Sequence, residues 1–352
     1  MVVRDVHEIL ESWAPGEIAW ERDNIGLQVG SMSRRVRKIL VALDVTDEVV
    51  REAREKDIDL IISHHPLLFH PVRNVTLDDR VGRLVHRLAQ SGIALYSAHT
   101  NLDFTRGGVS FALAGRLGLH DPDFLQKDQS VLKKIVVFVP ADHADAVAAA
   151  MASAGAGKIG NYESCSFRVD GTGFFKPMAG AKPFIGATGR LEKVREVRLE
   201  MILPRWKLHD VVRGMRSAHP YEEIAYDAYD VSNISDSYGS GVIGELRKAM
   251  PLSKFLAHVE RTLHVPGVRF AGRVRNRIKR VAACGGSGSN YLPAAIQRGA
   301  DAFVTSDVPY HVFQECDDRI SLIDAGHYET EQPIVAHVVE YLKTQLGNGG
   351  NS

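Results

Sequence analysis

The adjacent pair His64-His65, Asp103, and His327 with Glu331 four residues later supply three imidazoles and two carboxylates from distant parts of the chain. Each group stands where an apolar strand-like run gives way to a loop or helix, the place where α/β proteins gather ligand-binding side chains. Five such donors exceed what one tetrahedral zinc takes, but they suit two divalent ions sharing a bridging carboxylate. Nitrogen and oxygen donors without a thiolate fit zinc, iron, manganese or nickel alike. Neighbouring side chains on extended backbone point to opposite sides, so His64 and His65 are expected to diverge and serve two ions. Pro66 supports this by excluding the helical region for His65. At the start of a predicted helix, His327 and Glu331 share a face with Cβ atoms about 5 to 6 Å apart, so Glu331 can bridge while His327 holds one ion. His99 is either a sixth contact or a group that orients Asp103. The plain alternative is that most of the 15 histidines are surface or hydrogen-bonded core residues; three independent strand-exit groups favour the metal reading.

The elements that must deliver these groups follow from periodicity. KILVALDVTDEVVREAREKDIDLIISHHP reads as strand, helix, strand, with Asp44 and Thr46 as candidate caps, and a crossover of that length implies a parallel pair. VGRLVHRLAQSGIALYSAHTNLD repeats the scheme: a helix stops at Gly92 and a strand delivers His99 and Asp103. RVAACGGSGSNYLPAAIQRGADAFVTSD gives strand, glycine-rich turn, helix, strand; RISLIDAGHYETEQPIVAHVVEYL gives strand, turn, helix. One open, parallel-rich sheet is expected to carry every donor at its strand exits.

Between residues 131 and 240 the texture changes. Two strand-helix-strand stretches, with Ser166 to Asp170 as a further strand, give β-α-β-β-α-β, the split βαβ arrangement of ferredoxin-like domains. Glycine-rich joints lie at Gly155 to Gly160 and Gly171 to Gly189, and SYGSGVIGEL is expected to close the insert. The fold class is therefore α/β, with residues 1–130 and 241–352 as a discontinuous core and residues 131–240 as an α+β insert. Only that division brings His327 and Glu331 to His64. The final GNGGNS is expected to fray.

Composition narrows the function classes. The chain has 352 residues, 45% of them apolar, enough for a full core in each of two or three domains. Lys plus Arg (43) balance Asp plus Glu (43), so no net field attracts polyanions, and nucleic acid is not expected as a partner. The first residues carry charges throughout and lack an export signal's pattern, and no segment approaches the roughly 20 apolar residues that span a bilayer. Cys165, Cys284 and Cys316 form no Cys-x-x-Cys spacing, which supports neither a disulfide framework nor a zinc knuckle and fits the cytoplasm.

Other motifs read more modestly. GGSGSN before a helix lacks the Walker lysine and the dinucleotide fingerprint, so a tight turn packing helix on strand is expected. Asp23 to Gln28 sits in a polar turn and can cap an early element. Tyr310-His311 follows the strand exit at Thr305-Ser306-Asp307 and either lines the same cleft or lies on the surface. His219-Pro220-Tyr221-Glu222-Glu223 could bind a cation, but an edge-strand or subunit-contact motif is the favoured reading.

DNIGLQVG, LDVTDEVVREA, IISHHPLLF, YSAHTNLD, CGGSGSN, TSDVPYH and IDAGHYETE occur in the order found in the NIF-three-like dinuclear-metal proteins, the type 2 GTP cyclohydrolase I homologues, which this chain resembles along both outer segments. The middle segment resembles the PII-like, ferredoxin-fold insert of the longer bacterial members through GKIGNYESCSF and HPYEEIAYD. The resemblance implies metal ligands at His64, His65, Asp103, His327 and Glu331. It also implies a homohexameric toroid, a trimer of dimers, with metal sites facing an internal cavity and inserts covering its openings. YETE after His327 varies among relatives, but the carboxylate at the fourth position is kept.

Two functions are carried forward. One is a metal-dependent hydrolase in which a metal-bridging hydroxide attacks C8 of a GTP-like purine or the phosphorus of a phosphoester. Glu331 bridges there, and His99 and His311 are the nearby candidates for proton transfer. The other is a hexameric metal-holding, delivery or regulatory assembly without catalysis. A purely structural scaffold is disfavoured, because buried carboxylates and imidazoles cost stability unless a cation or partner satisfies them.

Overall fold

The structure is a computed structural model that describes residues 1–129, 131–273, 276–316 and 319–348. The chain divides into two compact units, Met1–Lys127 with Asp236–Ser352, and Asp128–Ser235.

The first half of the larger unit runs α1 (Val3–Trp13), β1 (Gly26–Val29), β2 (Ile39–Ala42), α2 (Asp47–Glu55), β3 (Leu60–Ser63), α3 (Arg80–Ser91), β4 (Ala94–Ser97), α4 (Thr100–Asp103), α5 (Val109–Leu117) and β5 (His120–Lys127). Local chemistry sets the boundaries. The Thr46 side chain accepts the Val49 amide at the start of α2, Asp79 caps α3 through the Gly82 amide, and Gly92 ends α3 in the left-handed region. Strands β2, β3 and β4 pair in parallel, and β1 adds antiparallel to β4, giving the order β1-β4-β3-β2. Both faces of this sheet are covered, which is why β3 and β4 are buried along their whole length rather than alternating. Leu60, Ile62, Ala94 and Tyr96 pack with α1 on one face, and Ile61 and Leu95 pack with α2 and α3 on the other.

The smaller unit runs β6 (Leu132–Pro140), α6 (Ala144–Ser153), β7 (Phe167–Phe175), β8 (Glu192–Pro204), α7 (Leu208–Ala218) and β9 (Tyr226–Asp230). Its strands lie in the order β7-β8-β6-β9, every neighbouring pair antiparallel. This is the β-α-β-β-α-β element order read from the sequence. One core fills it, with Ile135, Val137, Leu199 and Met201 of the sheet against Val147, Met151, Val211 and Met215 of the helices.

The chain then returns to the larger unit through β10 (Gly239–Pro251), α8 (Leu252–Leu263), β11 (Arg269–Ala271), β12 (Arg277–Ala283), α9 (Leu292–Gln297), β13 (Ala302–Thr305), α10 (Tyr310–Glu315), β14 (Ser321–Asp324), α11 (His327–Glu331) and α12 (Pro333–Asn348). These strands and β5 form a second sheet, β11-β14-β13-β12-β10-β5, in which only β12, β13 and β14 are parallel neighbours. The single parallel sheet expected from the strand exits is therefore wrong. There are two mixed sheets, because β10, read as the close of the insert, pairs with β5 and starts a second sheet. Helix α5 joins them: Val109 and Ala112 belong to the core of the first sheet, and Leu113, Ala114 and Leu117 to that of the second. Helix α12 continues to Asn348, and residues 349–352 of the tail read as frayed lie outside the described residues.

Leu113 is fully buried in the core of the second sheet. Leu113→Ala is expected to destabilise the protein by about 2–5 kcal/mol, read as a lower urea midpoint with an unchanged slope.

Candidate metal centre

Three parallel strands of each sheet end near the same place. Past β2 stands Asp44, past β3 His64 and His65, past β4 His99 and Asp103; past β12 Gly285 and Gly286, past β13 Asp307, past β14 His327 and Glu331. His64 and Glu331 are 3% and 4% exposed, so these are interior charges rather than a solvated face.

Glu331 is the centre of the group. Its Oε2 lies 2.8 Å from His65 Nε2, 3.2 Å from His327 Nε2 and 3.8 Å from His64 Nε2, while His64 Nε2 is 3.6 Å from Asp103 Oδ1. His65 and His327 bring their Nε2 atoms to 3.3 Å of each other. The expected divergence of His64 and His65 is not observed: their rings lie 5.0 Å apart and both turn toward Glu331. The strand ends at Ser63 and the chain bends at both histidines, so the two-sided alternation of a strand no longer applies.

Every imidazole of the cluster is held by Nδ1, which leaves Nε2 facing inward. His64 Nδ1 donates to the Ala98 carbonyl at 2.9 Å, His65 to Asp44 at 2.9 Å, His99 to both oxygens of Asp23 at 2.9 Å, and His327 to Asp307. Outer partners of this kind fix the tautomer and aim of metal-ligating imidazoles. Asp23 also accepts the Thr100 amide at 3.1 Å and its hydroxyl. His99 does not bond Asp103; its ring stands edge-on to His64 and His65 at 5.2 and 5.6 Å. The three aspartates were named in the sequence only as caps or strand exits; the available signal was an acidic residue in the turn beyond a strand, or beside a helix start, on the side that carries the histidines.

Electrostatics show how unsatisfied the group is. Burial alone would lower His64, but Glu331 and Asp103 beside it raise it to about 9. His65 moves up for the same reason, with burial opposed by Glu331. The neighbouring Glu331, helped by Asp307 against burial, raises His327 to about 9. Burial raises Asp103 to about 6, with His64 pulling it down and Glu331 pushing it up. Glu331 is held far below the usual carboxylate range, its burial outweighed by His327, His64 and His65. Even so, His64 Nε2, Asp103 Oδ1 and Glu331 Oε2 are buried without an aligned hydrogen-bond partner. Orphaned polar atoms at the centre of a folded core are expensive unless a further group satisfies them. All three are metal-donor atoms, so the donor set fits a divalent cation. Two triads have the spacing to hold one, His64, His65 and His99, and His65, His327 and Glu331. Cys284 adjoins this cluster, and burial pushes its thiol up to about 12.

The glycine turn serves the site directly. Gly286 has φ of +64°, and a Cβ there would come within 2.1 Å of Glu331 Oε1. His311, in contrast, is exposed on α10 and lies outside both triads. In the smaller unit, His219 uses both ring nitrogens, Nε2 on the Phe138 carbonyl and Nδ1 on the Tyr221 amide, which leaves no lone pair for a cation.

The family description Duf34/NIF3 (NGG1p interacting factor 3) matches residues 1–351. A Halalkalibacterium halodurans protein named GTP cyclohydrolase 1 type 2 homolog is 41% identical over 324 residues, 92% of this chain and 87% of that one. Among solved structures, a Bacillus cereus protein related to NIF3 superposes with a TM-score of 0.83 at 39% identity, covering 98% of this chain and 94% of that one. Staphylococcus aureus protein SA1388 does so at 0.77 and 32%, covering 99% and 92%.

Gly286→Ala is expected to keep the fold and cut bound divalent metal severalfold, because the new methyl displaces the Glu331 carboxylate; circular dichroism and elemental analysis read the two effects. A pH effect follows from His64 and His327. Their folded pKa values lie above the unfolded value of about 6.5, so the metal-free protein is most stable below that and loses stability as pH rises through about 9. Urea midpoints with chelator are expected to fall from pH 7 to pH 9, and zinc-loaded protein is expected to lack the fall.

Proposed function

The chain belongs to the Duf34/NIF3 family, and from that membership and the geometry of its site we propose that it is a metal-dependent hydrolase built on two divalent ions. The observation that carries the proposal is the set of buried donor atoms without partners around Glu331. Glu331 would bridge, His64 and Asp103 would hold one ion, and His65 and His327 the other; the two triads, His64-His65-His99 and His65-His327-Glu331, overlap only at His65, which supports two positions over one. Zinc, iron, manganese and nickel all suit these donors. When bound, such ions lower the pKa of water toward neutrality and polarise the substrate.

The chain's own groups do the positioning. Asp44, Asp307 and the Ala98 carbonyl hold three imidazoles in the tautomer that presents Nε2. His99 is the proton-transfer candidate, because the Asp23 carboxylate fixes its ring and keeps its free nitrogen beside His64 and His65. Burial would raise Asp23, but hydrogen bonds from His99 and Thr100 hold it at about 2, so it stays an anion. The exposure of His311 argues against a matching role for it. A nucleotide-like or phosphoester substrate is the reading favoured by the relatives' name, GTP cyclohydrolase 1 type 2 homolog.

The homohexamer, the PII-like character of the smaller unit and a cytoplasmic location belong to this reading too. Support for them comes from the family membership, the antiparallel β7-β8-β6-β9 sheet, and the finding that no described helix is long and apolar enough to cross a membrane. A metal-holding assembly without turnover is the second reading, favoured by the completeness of the donor set around Glu331.

Protein loaded with zinc, manganese or iron is expected to turn over GTP or a generic phosphoester, and His64→Ala and Glu331→Ala to lower the rate by at least about a hundredfold. Chelation is expected to abolish it and metal to restore it. Turnover that survives either substitution would exclude this centre as its source; full loading without turnover of any substrate would favour the metal-holding reading.

A further inference from the structure

The smaller unit holds a cavity of about 810 Å³, walled largely by Phe138, Phe174, Phe175, Phe184 and Tyr221 and sharing no residue with the metal centre. That volume is in the range of small-molecule sites. Tyr221 ties the wall together: its ring stands 5.8 Å from Phe175 and 6.4 Å from Phe184, and its backbone amide is fixed by His219 Nδ1. The covering segment between β7 and β8 is anchored where the Lys182 amide donates to Glu222 at 2.7 Å.

Inside it lies Glu196, on the central strand β8 and 8% exposed. The Tyr221 hydroxyl donates to its Oε1 at 3.0 Å, and the cations nearby are turned to other acids: Arg195 pairs with Asp170, and Arg198 with Glu200. A carboxylate has about four acceptor sites, so this bond leaves Glu196 acceptor capacity for a further donor. The facing strand makes room for it. Gly171 sits opposite Glu196 in the register, and a Cβ at Gly173 would fall within 2.1 Å of Glu196 Oε2. Glycines inside a strand cost stability and mark close approach by another group. Charge points the same way, since Asp170, Glu196, Glu222 and Glu223 line the cavity against Lys176 and Arg198. Aromatic faces with a buried anion are the chemistry that recognises ammonium groups.

We propose that this cavity binds a small organic cation, an ammonium group on an apolar or aromatic body, with Glu196 as counter-ion and Phe175, Phe184 and Tyr221 as walls. The site goes beyond the metal-dependent reaction and does not rest on it.

The test titrates the full-length protein by calorimetry, backed by ligand-observed NMR, with phenethylammonium, neutral phenethyl alcohol and anionic hydrocinnamate. The ammonium is expected to bind at least about tenfold more tightly than either of the others. Glu196→Gln is expected to erase that preference while leaving bound metal unchanged. Phe184 is 55% exposed, so Phe184→Ala folds even if the carboxylate variant does not, and it is expected to weaken the ammonium severalfold. Equal binding of the three probes, binding of none, or ammonium affinity unchanged in both variants would overturn the proposal. So would an aromatic wall occupied by a second copy of the chain, seen as Phe184→Ala protein of smaller mass with no ammonium bound by either form.

Discussion

Removing ionisable groups from water costs more than their mutual attraction returns unless every lone pair and proton finds a partner. The larger unit buries His64 and Glu331 with the half-buried Asp103 beside them, and leaves one donor atom on each without an aligned hydrogen-bond partner. A polypeptide that needed only stability would bury apolar side chains at these positions. The surrounding structure makes the cost worse in a directed way: Asp44, Asp23 and Asp307 occupy the outer nitrogens of His65, His99 and His327 and leave the inner ones facing each other. The inner nitrogens therefore face the Glu331 and Asp103 carboxylates, which raise His64, and Glu331 likewise raises His65 and His327 above the ordinary imidazole range.

Building that receptor falls to backbone geometry. Parallel strands deliver side chains at one end, and two separate three-stranded parallel sets, β2-β3-β4 and β12-β13-β14, each end at the cluster. Helix α5 contributes buried residues to the cores of both sheets, so their relative placement depends on ordinary packing. Gly286 completes the cradle, its missing side chain being the space that the Glu331 carboxylate occupies.

Much of this was legible in the chain. Strand runs ending at His64-His65 and His99, and the four-residue spacing of His327 and Glu331, are set by local periodicity and so can be read from neighbouring residues. What stayed hidden depends on distance along the chain. Whether Asp44 caps a helix or orients His65, and whether Asp23 serves a turn or His99 76 residues on, is decided by packing rather than by neighbours. The number of sheets was hidden for the same reason, since β5 and β10 are sheet neighbours although the whole smaller unit lies between them in the sequence. The divergence expected of His64 and His65 failed because the strand stops at Ser63, before its alternation reaches either of them.

The two units carry different chemistry: imidazole and carboxylate donors with the spacing of a metal site in one, aromatic walls around the buried Glu196 in the other. The most direct measurement is anomalous diffraction from crystals grown with zinc or manganese. Two peaks flanking Glu331, within about 2.0–2.2 Å of the inner nitrogens of His64, His65 and His327, are the expected result. Crystals soaked to saturation that showed no peak within reach of those atoms would contradict the dinuclear reading outright.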